Sequence, residues 1–583
     1  MCGIAGFQSP NGAEGDAATR VRLMVAALRH RGPDGDGVVP VGPAAIGMCR
    51  LRIRSAPDTA VPFTFGDGAH GAYNGEVYAL RRDRGAPAPD GGAGEVAVLA
   101  GEGAAEADGM YALASLDRAG ALRFARDRFG IKPLFVREDG NGLTFASELP
   151  ALFAASGPLD MERDAFHEML AFGRTLDRRT LYRGIRELAP GETLAPAAPD
   201  RMTSPSAGDL QAAIRDAVGR TLLSDRPVGL ALSGGLDSTI IAHELSASGV
   251  RGLRTISLSL RDNGDGVTGL GELGLGADPA SATWTHTTLA MDEGGYMAAL
   301  AAAARRNGEP FRMSSVPLYY ALGAEAARQG ITVLLLGEGA DELFGGYESY
   351  RGACPDGTDP VPAIAAFYLD GANGRYLSGL IGQRAAAMLR DRLVALLWPL
   401  VAGREPKQAL LAAERMLSLE PLLRRADHAL MAASVEGRTP FLHGRVPDLA
   451  AALPDAELWS PDETKRALRL AYAGVLPPSV LTAPKRALRA PGRVWRDAGV
   501  PVLDALDAPA RALFDALGLD RGGVTAVRDG CAAGDPAAVP FAVALISAVS
   551  CLSALAMEGR LIDPALAQAA VAARTSLLTP LTS

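Results

Sequence analysis

The arrangement of hydrophobic and polar positions changes about a third of the way along the chain. Before about residue 190, short apolar runs alternate with turn signals, such as Asn74 with Gly75, or Asp108 with Gly109 before the apolar run over 110–116. This pattern predicts a strand-rich first part. Beyond about residue 205 the repeating unit is an apolar strand, a glycine-rich turn and a helix, which is typical of a parallel sheet covered by helices.

Individual elements follow from the same pattern. It predicts strands over residues 228–232, 253–260 and 331–336, and an amphipathic helix over about 209–223. Residues 194–210, rich in Pro, Ala, Ser and Asp, predict a linker, so we expect two domains, 1–204 and 205–583. After about residue 360 the chain is predicted to be mostly helical.

Two segments have alternative interpretations. Residues 539–557 carry no charge and are nearly long enough to span a membrane, but Pro540 and three serines favour a buried core helix. Residues 262–278 contain six glycines and predict a mobile loop. Such a loop either covers an active site or is an inert insertion, and its glycine content does not distinguish the two.

Composition and charge narrow the class of protein. The 583 residues leave room for several domains, and an apolar content of 48% is ordinary for a soluble globular enzyme. The net charge is -8 and the basic residues are scattered, which disfavours nucleic-acid and membrane partners. Five cysteines without a CxxC pattern disfavour a disulfide framework or a zinc site and favour the reducing cytoplasm.

The first candidate for chemistry is Cys2. Once Met1 is removed, the thiol of Cys2 becomes a nucleophile whose proton the neutral α-amine of the same residue can accept, so no histidine is needed. Taken alone, a cysteine near a frayed terminus is usually inert. A nucleotide-binding signature one domain downstream favours the catalytic interpretation.

That signature consists of two loops that follow predicted strands. Leu232 ends a strand and leads into Ser233, Gly234, Gly235, Leu236, Asp237 and Ser238; Leu336 leads into Gly337, Glu338, Gly339, Ala340 and Asp341. Glycines let backbone NH groups approach a phosphate, and the following helix adds its positive end. Because ligands gather beyond the carboxyl ends of parallel strands, Asp237 and Asp341 are predicted to share one Mg²⁺ ion.

Together these residues resemble the glutamine-dependent asparagine synthetases, and the resemblance covers nearly the whole chain. The matching motifs agree in order and spacing with that family: MCGIAGF (1–7), RGPDG (31–35), YNGEVY (73–78), DGMYAL (108–113), RDRFGIKPL (126–134), FASEL (145–149), LSGGLDS (232–238), GEGADELFGGY (337–347), SVEGRTPFL (434–442) and the segment around Lys485.

The resemblance implies a fold for each half. The first is an α+β N-terminal-nucleophile hydrolase domain, with stacked antiparallel sheets between helices. The second is an α/β parallel-sheet ATP pyrophosphatase domain with a largely helical C-terminal part. It also implies ATP and Mg²⁺ as cofactors and a tunnel for ammonia between the two sites.

In the glutaminase half, the resemblance assigns Cys2 as nucleophile and Asn74 and Gly75 as the oxyanion hole. Arg50, Asn74 and Glu76 are the implied glutamine-binding residues. For arginines in general a solvated surface position is the more common state, so the role of Arg50 depends on the resemblance.

In the synthetase half, Leu232 and Leu258 match backbone contacts to adenine, and Glu338 matches a glutamate that assists proton removal from ammonia. Lys485 matches a lysine that neutralises charge at the reacting phosphate. Lys465 is a second candidate, although a solvated surface lysine is its more common state. The full set of nucleotide-binding candidates is Leu232, Ser233, Gly234, Gly235, Asp237, Ser238, Leu258, Leu336, Gly337 and Lys465.

The sequence departs from the family in the glutaminase half. The usual SDxE motif reads Gly92, Ala93, Gly94, Glu95, and RLSIxD reads Arg50, Leu51, Arg52, Ile53, Arg54, Ser55. The aspartate that holds the α-amino group of glutamine is therefore missing. Asp90 or Glu95 could replace it after a loop shift, or free ammonia could be the donor.

Other departures cluster at the acceptor side. The usual serine before the GEG turn is Leu336, an expected aspartate is Met313, and PFLD ends in His443. The first hypothesis is synthesis of asparagine from aspartate, glutamine and ATP. A specialised-metabolite acid is the rival acceptor.

Further alternatives are an ATP-dependent cyclase of the β-lactam or lasso-peptide type, which Cys2 and Glu338 disfavour, a non-catalytic scaffold and a stand-alone glutaminase. The oligomeric state, with a homodimer among the options, stays open.

Overall fold

The computed structural model describes residues 2–10, 16–54, 60–65, 68–80, 91–100, 106–192, 205–260, 269–355, 357–485, 488, 490 and 492–582, with the backbone alone for 575–582. Its first part contains two antiparallel sheets, as predicted. One has the strand order β10-β8-β9-β1-β3-β2 and the other β4-β5-β6-β7. The strands are β1 (Cys2–Gln8), β2 (Asp36–Val41), β3 (Ala44–Arg50), β4 (Phe63–Thr64), β5 (His70–Leu80), β6 (Ala107–Leu116), β7 (Leu122–Arg126), β8 (Phe135–Asp139), β9 (Gly142–Ala146) and β10 (Ile185–Glu187).

The two sheets stack face to face between helices. Helix α1 (Ala17–Ala27) covers β1, β2 and β3, and helix α2 (Ala93–Ala100) covers β5 and β6, while β1 and β3 contact β5 across the interior. Close packing of α1 requires a glycine in β3, because a Cβ on Gly47 would lie 2.7 Å from methyl groups of Val21 and Val25. Strands β1 and β3 are consequently buried on both faces. This arrangement confirms the predicted fold class.

The second part is built on a five-stranded parallel sheet with the order β13-β12-β11-β14-β15. The predicted strands correspond to β11 (Val228–Ala231), β12 (Arg254–Leu260) and β14 (Val333–Leu335). Two further strands, β13 (Thr285–Met291) and β15 (Glu436–Arg438), lie at the edges. Because β11 and β14 are neighbours, their carboxyl ends open at the same edge of the sheet.

Helices dominate the remainder of the chain, as predicted beyond residue 360. They are α3 (Leu149–Ala155), α4 (Arg163–Phe172), α5 (Ala207–Arg220), α6 (Leu236–Ala247), α7 (Glu293–Asn307), α8 (Val316–Arg328), α9 (Ala340–Phe344), α10 (Pro360–Leu369), α11 (Gly371–Ile381), α12 (Gln383–Val401), α13 (Pro406–Glu414), α14 (Glu420–Met431), α15 (Val446–Ala451), α16 (Arg466–Ala471), α17 (Pro478–Leu481), α18 (Gly492–Val494), α19 (Val500–Leu506), α20 (Arg511–Ala516), α21 (Arg521–Ala532), α22 (Val539–Met557) and α23 (Pro564–Thr582).

The end of the predicted linker is corrected by helix α5. Residues 193–204 lie outside the described part, but residues 207–210 are helical rather than linker. The cause is a capping box: the Ser206 side chain accepts from the backbone NH of Asp209, and the Asp209 carboxylate accepts from the backbone NH of Ser206. Helix α5 therefore begins earlier than the apolar pattern alone indicates.

Helix α22 is the segment whose length and composition would suit a membrane span. In the described part of the chain it is the one helix that passes this test, and 83% of its most apolar window is buried inside the protein. Its serine hydroxyls also have hydrogen-bond partners inside the protein. Ser547, for example, donates to the carbonyl of Phe311 at 2.8 Å. This agrees with its interpretation as a core helix.

A buried ionic network joins the sheet sandwich to the second part. The guanidinium of Arg31 is fully buried and binds Glu148 at 2.6 Å and Asp427, on α14, at 2.7 Å. The ammonium of Lys132 also reaches Asp427, at 3.2 Å. Asp427 therefore balances two buried cations of the first part, and the two cations hold the pKa of Asp427 below its usual range although burial acts to raise it.

We predict that Asp427→Ala strongly destabilises the protein, since it leaves Arg31 and Lys132 buried with one fewer anion. The expected loss in the free energy of unfolding is about 3–5 kcal/mol. Urea unfolding followed by tryptophan fluorescence measures it. The control is Asp529→Ala, which removes an exposed partner of Arg528 and should change stability by less than about 0.5 kcal/mol. Equal effects of the two substitutions would contradict the prediction.

Candidate active sites

The amino-terminal site is assembled by three strands of the stacked sheets. Pairing of β1 with β3 places Cys2 opposite Arg50, and β5 brings Asn74 beside them. The backbone nitrogen of Cys2 donates to Oδ1 of Asn74 at 3.0 Å. The structure thus brings together the predicted nucleophile and two of its predicted partners.

The side-chain amide of Asn74 has an unused hydrogen-bond donor in the described structure. Asn74 is fully buried, and its Nδ2 has no hydrogen-bond partner among the described residues. A buried donor without an acceptor costs about 1–3 kcal/mol. Such a group next to a nucleophile is suited to stabilise negative charge that develops on a carbonyl oxygen.

Gly75 occupies a position that no other residue could take without displacement. Its φ is +153°, and a Cβ would lie 2.0 Å from the carbonyl oxygen of Met110. The glycine is therefore required by the pairing of β5 with β6. This requirement also keeps the backbone beside Asn74 free of a side chain.

The surroundings of the Cys2 thiol act on its pKa in opposite directions. Burial raises the pKa and outweighs the rest, while the positive charge of the chain terminus, the Leu51 backbone and the Arg50 guanidinium lower it. Arg50 is itself buried, so the surface position that is common for arginines does not apply here. With these cationic neighbours the thiolate of Cys2 forms more easily than it would in apolar surroundings alone.

Two buried carboxylates, Glu76 and Glu95, share one arginine. Arg54 lies 3.1 Å from Glu76 and 3.3 Å from Glu95. Glu95 also accepts from the backbone NH groups of Val77 and Gly92, both at 2.9 Å. Glu95 is thus committed to holding the start of α2 in place, while Asp90, the other suggested replacement for the missing aspartate, lies outside the described residues. Sequence reasoning missed Arg54, whose signal was the altered RLSIxD motif.

The second site is a cavity of about 480 Å³ at the carboxyl edge of the parallel sheet. The loop after β11 supplies Ser233, Gly234 and Gly235, with Gly234 in the left-handed region at φ +74°, and Asp237 lies in the first turn of α6. The cavity is lined by these residues and by Leu236, Glu272, Leu273, Gly346, Thr464, Lys465, Arg469, Ser479, Val480, Ala483, Pro484 and Lys485. Its volume is in the range that holds a nucleotide-sized ligand.

The other nucleotide-binding candidates lie on β12, at the start of α6 or just after β11 and β14, and the described lining of the cavity does not include them. Leu232 and Leu336 are buried, Leu258 is half-buried, and Ser238 closes the loop with a 3.1 Å contact to Ser233. A Cβ on Gly337 would approach the Asp237 side chain to 3.0 Å, so the two loops touch. Residues 262–268 of the predicted glycine-rich loop lie outside the described part, but Leu273 of its remainder lines the cavity.

Two carboxylates and two lysines form a charge cluster at this cavity. Lys465 Nζ lies 2.5 Å from Asp237 and 2.6 Å from Asp341, and Lys485 Nζ lies 3.5 Å and 2.6 Å from the same carboxylates. Lys465 is 2% exposed, so the expectation of a solvated lysine is wrong; the two aspartates compensate its buried charge. Although burial acts to raise it, the lysines lower the pKa of Asp341 to about 2.

The same two aspartates fit the predicted Mg²⁺ site. Both carboxylates converge on one ammonium, so one small cation can be reached by both, and carboxylate oxygen is the ligand that Mg²⁺ prefers. Among the described residues no group of three or more His, Cys, Asp or Glu side chains is arranged for a metal. Proteins commonly hold Mg²⁺ with one or two carboxylates together with the phosphates of a nucleotide.

Glu338 lies beside the cluster and is held by two residues that sequence reasoning missed. Tyr319 donates its hydroxyl to Glu338, and Arg425 donates to it at 2.7 Å. The Arg425 guanidinium also stacks over the Tyr319 ring at 4.0 Å and donates to Ser315 Oγ at 2.6 Å. In sequence Arg425 is one of several helix arginines, and nothing in its spacing indicates this contact.

Comparison with known proteins agrees with the two sites. A family model described as asparagine synthase matches residues 209–521, more than half of the chain, and one described as a glutamine amidotransferase domain matches residues 1–205. The chain belongs to the asparagine synthase family. This confirms the resemblance and identifies an ATP-dependent carbon–nitrogen ligase that hydrolyses glutamine.

Individual relatives of this asparagine synthase family member are distant. A putative glutamine-hydrolyzing asparagine synthetase of Mycobacterium tuberculosis (strain ATCC 25618 / H37Rv) is 30% identical over 588 residues, which cover 86% of this chain and 89% of the relative. Glutamine-hydrolyzing asparagine synthetase 1 of Bacillus subtilis (strain 168) is 26% identical, over 85% of this chain and 88% of the relative. A solved glutamine phosphoribosylpyrophosphate amidotransferase of B. subtilis covers 44% of this chain and 75% of its own, at 16% identity and a TM-score of 0.25.

A second cavity, of about 510 Å³, lies next to the charge cluster, since Tyr347 lines it and has its ring centroid 6.0 Å from Lys485 Nζ. Aromatic side chains form much of its wall, and Arg312 and Glu414 also face it. We call it the aromatic cavity; it is lined by Ala171, Phe172, Gly173, Arg312, Met313, Tyr347, Ser349, Tyr350, Phe367, Tyr368, Asn373, Glu414, Leu417, Ser418, Pro421 and Leu422. Met313 is the residue that replaces an expected aspartate.

We predict that Gly346→Ala disrupts the synthetase site. A Cβ at Gly346 would lie 1.9 Å from Asp341 Oδ1 and 2.2 Å from Lys465 Cε, so the charge cluster must shift. AMP formation from ATP should fall about 100-fold. The matched control is Gly352→Ala, where a Cβ meets no heavy atom within 4 Å. Equal turnover of the two variants would refute the steric requirement.

A pH dependence of stability follows from Glu414. Burial raises its pKa from 4.5 to about 7, although the hydroxyl of Tyr350, 2.6 Å away, favours the charged form. The folded protein therefore binds this proton more tightly than the unfolded chain, and stability falls as the pH rises from about 4.5 through 7.

Glu414→Gln, which stays neutral, should gain stability relative to wild type over that interval, by up to about 3 kcal/mol. Urea unfolding at pH 5, 6, 7 and 8 measures the difference. The control Glu558→Gln alters an exposed carboxylate and should track wild type. A constant difference between Glu414→Gln and wild type across the interval would contradict the assignment.

Proposed function

We propose that this protein is a glutamine-dependent amidotransferase that activates a carboxylic acid with ATP and converts it to an amide. The observation that carries the proposal is the cluster of Asp237, Asp341, Lys465 and Lys485 at the mouth of a nucleotide-sized cavity, beside Glu338. Together with a Cys2 site in the same chain, this arrangement supports amide transfer over a stand-alone glutaminase.

In the glutaminase half, the neutral α-amine of Cys2 takes the thiol proton and the resulting thiolate attacks the amide carbon of glutamine. The α-ammonium then returns this proton to the leaving nitrogen. Asn74 Nδ2 and the backbone NH of Gly75 stabilise the oxyanion, and ammonia leaves as the thioester forms. Water then cleaves the thioester and releases glutamate. Arg50 and Glu76 are the proposed contacts to the glutamine carboxylate and α-amine.

In the synthetase half, an oxygen of the acceptor carboxylate attacks the α-phosphorus of ATP and the bond to the β-phosphate breaks, releasing pyrophosphate. Lys465 and Lys485 compensate the charge that accumulates on the phosphates. Asp237 and Asp341 would hold Mg²⁺, which supplies further charge compensation to the phosphates. The nitrogen of ammonia then attacks the acyl carbon, Glu338 accepts its proton, and AMP departs.

One strand connects the two halves. Glu436 at the start of β15 is close enough to the Cys2 thiol to raise its pKa, and Arg438 at the other end lies 3.8 Å from Glu76. The carbonyl of Arg438 accepts from the NH of Leu336, two residues before Glu338. Strand β15 therefore lies against residues of both sites, between which ammonia has to pass in the proposed reaction.

The acceptor is the least constrained part of the proposal. Aspartate is the first candidate, because its amide is asparagine and the family is named for asparagine synthesis. Met313, Leu336 and His443 replace polar or acidic residues expected on that side, which favours another acid. The domain limits 1–204 and 205–583, a cytoplasmic location and a homodimer remain predictions.

The function is tested by AMP formation with ATP, Mg²⁺ and glutamine, comparing aspartate with a panel of small carboxylic acids. The proposal expects AMP, glutamate and amide in equal amounts with at least one acid. Strong dependence on aspartate identifies an asparagine synthetase, and a response to another acid alone identifies a specialised amidotransferase. Absence of ATP turnover with every acid supports the scaffold alternative.

Separate nitrogen donors test the role of the amino-terminal site. Cys2→Ala should abolish amide formation from glutamine and retain it from ammonium chloride. Asn74→Ala should lower kcat for glutamine hydrolysis by about 10²–10³ and leave the ammonium-driven reaction unchanged. Asn141→Ala, in an exposed turn, is the matched control and should behave as wild type. Loss of both reactions in Cys2→Ala would contradict the division of labour.

A further inference from the structure

One tyrosine lies between the aromatic cavity and the charge cluster. The Tyr347 ring lines the cavity and its centroid lies 6.0 Å from Lys485 Nζ. The residue before it, Gly346, lines the nucleotide cavity. Consecutive residues therefore line the two cavities, and Tyr347 is the aromatic-cavity residue next to Lys485.

A row of aromatic rings leads away from that tyrosine into the cavity. Ring centroids are 5.2 Å apart for Tyr347 and Tyr350, 5.9 Å for Tyr350 and Phe367, 5.1 Å for Phe367 and Tyr368, and 6.2 Å for Tyr368 and Phe172. Three of these pairs are edge-to-face and the pair of Tyr350 with Phe367 is tilted, and aromatic pairs at these distances form a rigid apolar surface. Such a surface gains free energy by covering an apolar or aromatic group and gains little from a small polar acid.

The aromatic cavity is also linked to Glu338, through the segment from Met313 to Ser315 and through Arg425. Met313 lines the cavity, and two residues later Ser315 accepts a hydrogen bond from Arg425, which binds Glu338. The acceptor end of the synthetase site and the aromatic cavity are thus served by the same short segment. At its cavity end this segment offers a thioether, which packs well against aromatic groups, where an aspartate was expected.

Two polar side chains of the wall are held in fixed positions. Arg312 is held by the backbone carbonyls of Leu170 and Ala171, and Glu414 accepts from the hydroxyls of Tyr350 and Tyr368. A few placed polar groups within a mostly apolar wall are typical of sites for small organic ligands, and a volume of about 510 Å³ suits one larger than aspartate.

Resting on the proposed function, we propose that the acceptor is a carboxylic acid with an aromatic body larger than the side chain of aspartate. The body occupies the aromatic cavity, and its carboxylate reaches past Tyr347 to Lys485 and Glu338. The chemistry is the activation and amide formation described above, so no additional reactant is required.

The first test measures pyrophosphate release with ATP, Mg²⁺ and ammonium chloride for 3-phenylpropionate, indole-3-acetate, aspartate and succinate. Ammonium makes the result independent of the glutaminase site. An aryl acid should exceed aspartate in kcat/KM by at least about tenfold. Preference for aspartate or succinate would overturn this inference while leaving the proposed function intact. If none of the four acids supports pyrophosphate release, the proposed function is refuted instead.

Variants of Met313 place the acceptor in the cavity. Met313→Trp narrows it and should raise KM for the best aryl acid about tenfold or more, with KM for ATP little changed. Met388→Trp, at a site 56% exposed on α12, is the matched control. Equal KM values in these two variants would overturn the placement. Circular dichroism and the thermal midpoint verify that each variant is folded.

A converse substitution keeps the inference testable if the tryptophan variant does not fold. Met313 is half-buried, so Met313→Asp can be hydrated. A carboxylate there disfavours an apolar body by desolvation, and kcat/KM should fall for the aryl acid relative to aspartate by about tenfold or more. An unchanged ratio of the two kcat/KM values would count against the cavity as the acceptor site.

Discussion

Buried charge must be paired, and in this protein that constraint ties the two halves together. Arg31 and Lys132 of the sheet sandwich reach Asp427 of α14, and an unpaired ion at that depth would cost several kcal/mol. Arg425 precedes Asp427 by two residues on the same helix and therefore points to a different side. There it holds Glu338. The contacts that anchor α14 to the first half therefore also position Glu338, at the proposed acceptor end of the synthetase site.

The continuation of α14 extends this coupling to the glutaminase site. Strand β15 follows α14 after a short turn, and its Arg438 pairs with Glu436 and approaches Glu76. The same guanidinium also donates to the carbonyls of Thr221 and Leu223 beyond α5. One helix and one strand therefore contact both reaction centres.

In the synthetase site, the charges of the site's own lysines and aspartates compensate one another before any nucleotide binds. Lys465 adopts a left-handed backbone conformation at φ +52°, which is unfavourable for a lysine, and its ammonium bridges Asp237 and Asp341. Bridging keeps two carboxylates close together at a depth where their repulsion would otherwise separate them. The arrangement presents paired cations and anions to a ligand that carries phosphates and Mg²⁺.

Local signals in the sequence determined the fold class and the family, and they predicted most of the residues proposed for the two sites. Strand periodicity located β11, β12 and β14, and the glycine-rich turns after β11 and β14 predicted the phosphate loop, because these features depend on neighbours in the chain. The burial of Lys465, the role of Arg54 between Glu76 and Glu95, and the partnership of Arg425 with Tyr319 and Glu338 were decided only by the tertiary structure. Each depends on side chains far apart in sequence, whose distances are set by packing. The aromatic cavity belongs to the same class, since its wall combines α4, α10 and α13 with the segment around Met313 and has no continuous signature along the chain.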